Sequence, residues 1–183
     1  MSFRSIECGS IQAVFSGRLA AAIGIVLLAL ATAMGAQIRV PLPGTPVPVT
    51  LQVLFVLLSG LLLGARAGAA SQMLCLGAGI AGIPAFAGSG FGLSWLCGPT
   101  GGYLMAFPAA AFVTGALSGR RSVPVMAAAS MAGLMAIYAG GTAWLMLSLR
   151  LTAAGAVSAG VLPFIGIDAA KAAVAVAAAR AAR

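Results

Sequence analysis

Histidine and asparagine are absent from this 183-residue sequence, and only two of its residues are acidic. A Ser–His–Asp hydrolase needs a histidine, and a metal site needs a cluster of histidine, cysteine or carboxylate ligands. An enzyme that holds Mg²⁺ with several carboxylates is excluded as well, because Asp168 is the only aspartate. We therefore expect a protein that is not an enzyme and that holds no metal and no cofactor.

Lysine and cysteine are nearly as scarce. Lys171 is the only lysine, and alanine follows it, so the chain has no GxxxxGK[ST] phosphate loop. If the protein concentrates a solute, the energy must come from outside this chain. The three cysteines, Cys8, Cys75 and Cys97, show no CxxC pairing, and we interpret them as small apolar fillers and one loop thiol.

Charge is low throughout the chain, which is 7% charged and 62% hydrophobic, with a mean hydropathy of +1.13. Soluble proteins carry about a quarter charged residues. The composition therefore predicts an integral membrane protein with almost nothing outside the lipid bilayer. Its net charge of +8 comes from single arginines between apolar blocks. That pattern is typical of membrane topology signals, so no nucleic-acid partner is expected.

The apolar runs predict a single all-α membrane domain over residues 1–183, since a span needs about 20 apolar residues. Glycine, proline and charge divide the chain into six expected transmembrane helices, at residues 19–38, 49–64, 67–86, 101–118, 123–141 and 161–180. The stretch 142–160 either extends the fifth span or forms a short helix at the membrane interface.

The arginines that flank these spans predict the orientation of the protein. With the N-terminus inside, seven basic residues are cytoplasmic: Arg4, Arg18, Arg66, Arg120, Arg121, Arg180 and Arg183. Only Arg39 and Arg150 then fall on the outer side. Because basic residues accumulate on the cytoplasmic side, we expect six spans with both termini in the cytoplasm.

The two long outer loops are chemically unusual. The first, "VPLPGTPVPVT", has four prolines between residues 41 and 48, and its stiff extended backbone suits the wall or lid of a pocket. The second is rich in glycines, whose backbone N–H groups are open to a ligand. It also carries the aromatic residues Phe86, Phe91, Trp95 and Tyr103, which either pack on a flat ring or form an interfacial belt.

Asp168 and Lys171 lie three residues apart in the otherwise apolar last span. Three residues turn a helix by about 300°, so the two side chains share a face. One interpretation is a self-neutralising ion pair that only orients the helix. The other is a solute-binding site, because ionisable side chains inside a membrane bundle are costly and by default functional.

Three motifs resemble one known family: "PLPGTPVPVTLQ", "GPTGGYLMAF" and "PFIGIDAAKAA". They are similar to BioY, the biotin-binding S component of energy-coupling factor (ECF) transporters. The resemblance covers residues 39–173 and implies a six-helix protein of the bacterial cell (inner) membrane that captures biotin from outside. It also implies two kinds of partner, a transmembrane coupling protein and ATP-hydrolysing subunits of the ABC type.

The resemblance places the biotin site at Asp168 and Lys171. From the second loop and the helix after it we expect six further binding residues: Phe86, Ser89, Trp95, Gly101, Gly102 and Tyr103. Related proteins can add an asparagine near the junction of the third and fourth helices. This chain has none, so backbone amides, Ser89, Ser94 or Thr100 are expected to substitute for it.

The first span carries small residues at four-residue spacing, Ala20 with Gly24 and Ala29 with Ala33. Such pairs let helix backbones approach closely in lipid, although an alanine-rich helix also produces them by chance. The resemblance associates these four residues with docking to the coupling protein.

The sequence is compatible with two arrangements of the ligand and with two further functions. Asp168 either accepts a ureido N–H of biotin while Lys171 donates to the ureido carbonyl, or Lys171 holds the ligand's carboxylate. Two other functions also fit the residues: a stand-alone vitamin facilitator that uses Asp168 as a proton relay, and a membrane scaffold that transports nothing.

Overall fold

Helices dominate the chain, as expected for a backbone that must satisfy its hydrogen bonds without water. The computed structural model describes residues 5–119 and 122–182, with side chains from residue 17 onward. Within those ranges the helices are α1 (Ser5–Gln37), α2 (Gln52–Ile80), α3 (Leu93–Leu96), α4 (Gly101–Leu117), α5 (Val123–Ser148), α6 (Ala153–Gly160) and α7 (Ile165–Ala181). Two short strands, β1 (Arg39–Val40) and β2 (Val49–Thr50), pair antiparallel.

Helix α2 is folded back on itself at Gly64. This glycine has φ 80° and ψ −179°, a left-handed conformation that a residue with a Cβ adopts only at a cost. The two arms on either side of Gly64 lie side by side and antiparallel. A hydrogen bond between them shows this, since Gln72 Nε2 donates to Ser59 Oγ at 3.2 Å. They lie so close that a Cβ added at Gly68 would sit 3.0 Å from the backbone of Gly60. The range Gln52–Ile80 therefore consists of two helical arms that form a hairpin around Gly64.

The six expected spans correspond to α1, the two arms of α2, α4, α5 and α7. By length and composition, three described helices suffice to cross a membrane if both arms of α2 are counted together, and a fourth does if α6 and α7, bent by 53°, count as one span. Helix α4 is apolar but shorter, with 17 residues. The expectation of an all-α membrane fold is confirmed.

The ambiguous stretch 142–160 divides between two helices. Its first part extends α5 to Ser148, and its second part forms α6. Tyr103 of α4 donates to Gly160 O at 2.8 Å and so fastens the end of α6 to the bundle. Trp144 likewise donates to Gly98 O at 2.8 Å, which ties α5 to the second loop.

Close helix contacts build the centre of the bundle, where α4 packs between α2 and α5. A Cβ added at Gly60 would lie 2.5 Å from Ala111 O, and one at Gly140 would lie 2.7 Å from Ala106 Cβ. In lipid, such close approach of backbones replaces the hydrophobic effect as the force that holds helices together. The packing also fixes where side chains of different helices meet.

The small residues of α1 do not share one face, and their role in docking to the coupling protein stays a prediction. Ala20 and Ala29 are nine residues apart, about two and a half turns, so they point in opposite directions. Ala20 is exposed, whereas Ala29 is 5% exposed and belongs to the core of this chain. Gly24 and Ala33 are partly buried in between, Gly24 against Leu63 and Ala33 against the core.

The exposed face of α1 carries large apolar side chains instead: Leu19, Ile23, Val26, Leu27, Leu30 and Met34. Four arginines used in the topology prediction, Arg4, Arg120, Arg121 and Arg183, lie outside the described residues.

Candidate solute-binding site

Asp168 and Lys171 form a buried ion pair near the start of α7. Lys171 Nζ donates to Asp168 Oδ1 at 2.8 Å, and the two residues are 7% and 3% exposed. Tyr138 of α5 completes the group, because its hydroxyl donates to Asp168 Oδ2 at 2.9 Å. Both carboxylate oxygens are therefore held, which offsets part of the cost of burying the charge.

This group keeps hydrogen-bonding capacity for a ligand. Each carboxylate oxygen has a second lone pair, and the ammonium of Lys171 has three donors, of which one goes to Asp168. The hydroxyl of Tyr138 accepts as well as donates. A ligand that offers both donors and an acceptor is thus able to bind here without breaking the ion pair.

The pair lines a cavity with about 560 Å³ of space that protein atoms do not fill, part of it open to solvent. Its walls come from the first loop, the second loop and five helices, α2, α3, α4, α5 and α7. The lining residues are Val47, Pro48, Val49, Thr50, Gln52, Val53, Ala87, Trp95, Thr100, Tyr103, Leu104, Phe107, Ile137, Tyr138, Phe164, Asp168 and Lys171. A few polar groups in a mainly apolar and aromatic enclosure are typical of small-molecule sites.

Four of the eight residues expected to bind substrate line this cavity. They are Asp168 and Lys171 on α7, Tyr103 on α4 and Trp95 in α3. Of the groups expected to replace the absent asparagine, Thr100 lines it too. The assignment of these residues to a ligand stays a prediction.

The other four expected residues are placed elsewhere. Phe86 is 1% exposed and does not line the cavity, and its ring packs against Gly79. Ser89 is exposed and bonds to Gln37 through its N–H at 2.9 Å and its hydroxyl at 3.2 Å.

Gly101 and Gly102 are buried in the first turn of α4, where they allow close packing against Leu96 and Trp144 respectively. Their lack of a side chain is used for helix contact rather than for the cavity wall.

The chain matches the BioY family over residues 11–183. It belongs to the BioY family. A "Probable biotin transporter BioY" of Pyrococcus horikoshii is 44% identical over 152 residues, which is 83% of this chain and 89% of the relative. A "Biotin transporter BioY" of Thermotoga maritima is 40% identical over 136 residues, 74% of this chain and 79% of the relative.

The fold of this BioY-family chain also matches a solved structure, the crystal structure of the S-component for biotin from an ECF-type ABC transporter. The TM-score is 0.86 at 22% sequence identity, over 92% of this chain and 93% of the other. At that identity the likeness concerns the fold. Together with the apolar helices, family membership makes this a multi-pass membrane protein of a transporter family, not an enzyme.

Sequence reasoning missed three polar residues of this BioY-family cavity, Thr50, Gln52 and Tyr138. Tyr138 touches Asp168 although 30 positions separate them, and no spacing rule connects them. Gln52 is 4% exposed, and its Oε1 accepts from the Thr50 hydroxyl at 3.3 Å while its Nε2 has no hydrogen-bond partner. A glutamine at the start of an apolar span was the available signal, because a buried unpaired amide is costly without a ligand or water.

Proposed function

We propose that this protein captures biotin from the outer side of the membrane, as the S component of an uptake transporter. The observation that carries the proposal is the buried Asp168–Lys171 pair in the wall of an otherwise apolar and aromatic cavity. The names of the relatives supply the ligand, since four relatives at 40% identity or more are described as biotin transporters or probable biotin transporters.

The chemistry of biotin fits the polar group. Its ureido ring has two N–H donors and one carbonyl acceptor, which complement an acceptor-only carboxylate and a donor-only ammonium. Asp168 accepts a ureido N–H with the lone pairs that Lys171 and Tyr138 leave free, and Lys171 donates to the carbonyl. The apolar ring system then packs among side chains such as Phe107 and Trp95.

Transport against a gradient requires partners in this proposal. No phosphate loop is present in the sequence, so ATP hydrolysis belongs to separate ABC-type subunits, joined through a transmembrane coupling protein. The name of the solved structural relative, an S-component of an ECF-type ABC transporter, supports the same arrangement. The location we propose is the bacterial cell (inner) membrane.

Calorimetric titration of the purified protein with biotin tests the function. We expect saturable binding to the wild type and binding weaker by about ten-fold or more for Asp168→Asn. A hydrogen bond to a charged group contributes about 1.5–3 kcal/mol, and 1.4 kcal/mol is a factor of ten. Ser158→Ala, which removes an exposed hydroxyl bonded within α6, is the control and should bind as the wild type does.

Two results would count against the proposal. If the folded, monodisperse wild-type protein binds no biotin in the titration, the protein is not a biotin-capture subunit. If Asp168→Asn binds biotin as tightly as the wild type, the ion pair only holds helices together and the ligand contacts other groups.

A further inference from the structure

A second recess adjoins the cavity. The two spaces share four lining residues, Pro48, Ala87, Trp95 and Thr100. The recess has about 650 Å³ of space not filled by protein atoms, part of it open to solvent, and Arg39 lines it. The cavity beside Asp168 and the recess beside Arg39 are therefore neighbouring spaces, and a tail that leaves the head in this direction extends toward Arg39.

Arg39 is held in place by its backbone and by the second loop. In the β1–β2 ladder it pairs with Thr50, which lines the cavity. Its guanidinium lies over Gly88, where an added Cβ would be 2.5 Å from Arg39 Cζ. Because Gly88 has no side chain, the flat guanidinium rests directly on the loop backbone at the edge of the recess.

The loop beneath Arg39 is fixed to the end of α1 by one side chain, Gln37. Its Nε2 donates to Pro84 O at 3.0 Å and to Phe86 O at 3.3 Å, and its Oε1 accepts from Ser89 N at 2.9 Å. Gln37 thus ties the end of α1 to the second loop beside the guanidinium. Because these segments are already ordered, binding a ligand between them costs less conformational entropy.

Among the residues that the structure describes, no side chain or backbone group accepts a hydrogen bond from two donor groups near the recess. Arg39 pairs with no carboxylate among the described side chains, since Asp168 is held by Lys171. The indole Nε1 of Trp95, buried in the wall shared by both spaces, has no hydrogen-bond acceptor. An arginine that lies over the Gly88 backbone and lines the same recess as Trp95 is suited to an anion, above all to a planar carboxylate.

We propose that Arg39 binds the tail carboxylate of the captured acid, with the Trp95 indole as a second donor, while Asp168 and Lys171 hold the head. This inference rests on the proposed biotin site and extends it. It assigns the selection of an anionic ligand to the mouth of the cavity, so the site distinguishes the acid from its neutral amide at Arg39.

The test compares Arg39→Gln with the wild type, using biotin and biotin amide, which lacks the charged tail. At low ionic strength we expect Arg39→Gln to weaken biotin about ten-fold or more and to change the affinity for biotin amide less than two-fold. Arg39→Lys should recover part of the affinity for biotin, because it restores the charge without the fork of donors. Intact binding of the amide also shows that the variant is folded.

Arg150→Gln is the matched control. Arg150 is the other arginine that the topology prediction places on the outer side, and it lines neither space. If its loss weakens biotin as much as the loss of Arg39 does, a general surface attraction is at work and the inference is wrong. Equal weakening of biotin and biotin amide by Arg39→Gln, or no change in either, overturns it too. A wild type that binds neither ligand overturns the proposed function itself.

Discussion

At the scale of single residues, the buried pair keeps its charges because each has a fixed partner. Lys171 holds one oxygen of Asp168, and Tyr138 holds the other, at 2.8 and 2.9 Å. An isolated charge inside a membrane bundle costs at least a few kcal/mol, so loss of one partner leaves the other exposed to that cost. The same contacts orient the carboxylate before a ligand arrives, which limits the ordering needed on binding.

Replacement of Lys171 by alanine distinguishes the two assignments of the ligand. If the ammonium donates to the ureido carbonyl, Lys171→Ala weakens biotin and biotin amide by similar factors, about ten-fold each. Titration of both ligands into the variant measures this. A loss confined to biotin would place the tail at Lys171 and contradict both the ureido assignment and the role of Arg39.

The residue-scale site was only partly predictable. Asp168 and Lys171 share a face because of the helix repeat alone, so their spacing sufficed. Gly101 and Gly102 were expected at the ligand because glycine exposes its backbone, yet in the fold that space is taken by Leu96 and Trp144. A glycine permits close approach, and the sequence does not say whether a ligand or another helix approaches it.

At the scale of elements, α1 shows why small-residue spacing is insufficient for locating a docking face. The two members of each pair lie four residues apart and share a face of the helix. The pair Ala20 and Gly24, however, faces the opposite side of the helix from the pair Ala29 and Ala33. The least exposed of the four small residues, Ala29, is covered by this chain's own core.

Bulky substitutions on opposite sides of α1 separate docking from folding. We expect Ala20→Trp, at an exposed position, to reduce co-purification with the coupling protein while biotin binding and the melting temperature stay as in the wild type. Ala29→Trp should instead lower the melting temperature, because overpacking a core costs about 1–3 kcal/mol or more. Thermal unfolding and affinity co-purification are the measurements.

Leu147→Trp, at a position on α5 that is 74% exposed, is the control for the size of tryptophan at a surface distant from α1. If Ala20→Trp co-purifies as the control does, the coupling protein docks elsewhere than on this part of α1.

At the scale of the whole molecule, the cavity and Arg39 lie at one end of the helix bundle, and Arg180 lies at the other. The cavity is at the end where α7 begins, and α7 is 17 residues long, about 25 Å. Arg180 follows in its last turn, at the opposite end. Arg39, at the recess, lies at the cavity end. The charge asymmetry therefore predicts that the cavity opens to the outside and that the end with Arg180 faces the cytoplasm.

Thiol labelling in intact cells checks this orientation. Cys97 is exposed in the second loop and should react with an impermeant maleimide without permeabilisation. Ala182→Cys, made together with Cys8→Ser and Cys97→Ser, should react only after the membrane is opened. Buried Cys75 serves as an internal background. Labelling of position 182 in intact cells would contradict cytoplasmic termini.

The sequence by itself determined the class of protein, the number of apolar segments and the shared face of Asp168 and Lys171. These follow from local composition and from the repeat of a helix, which do not depend on distant residues. The tertiary structure alone decided that Tyr138 and Gln52 line the cavity, that Phe86 and Ser89 do not, and that Arg39 lines the neighbouring recess. Those contacts depend on how the chain folds back at Gly64 and on how closely glycines let helices pack, because such geometry brings together residues that no local pattern connects.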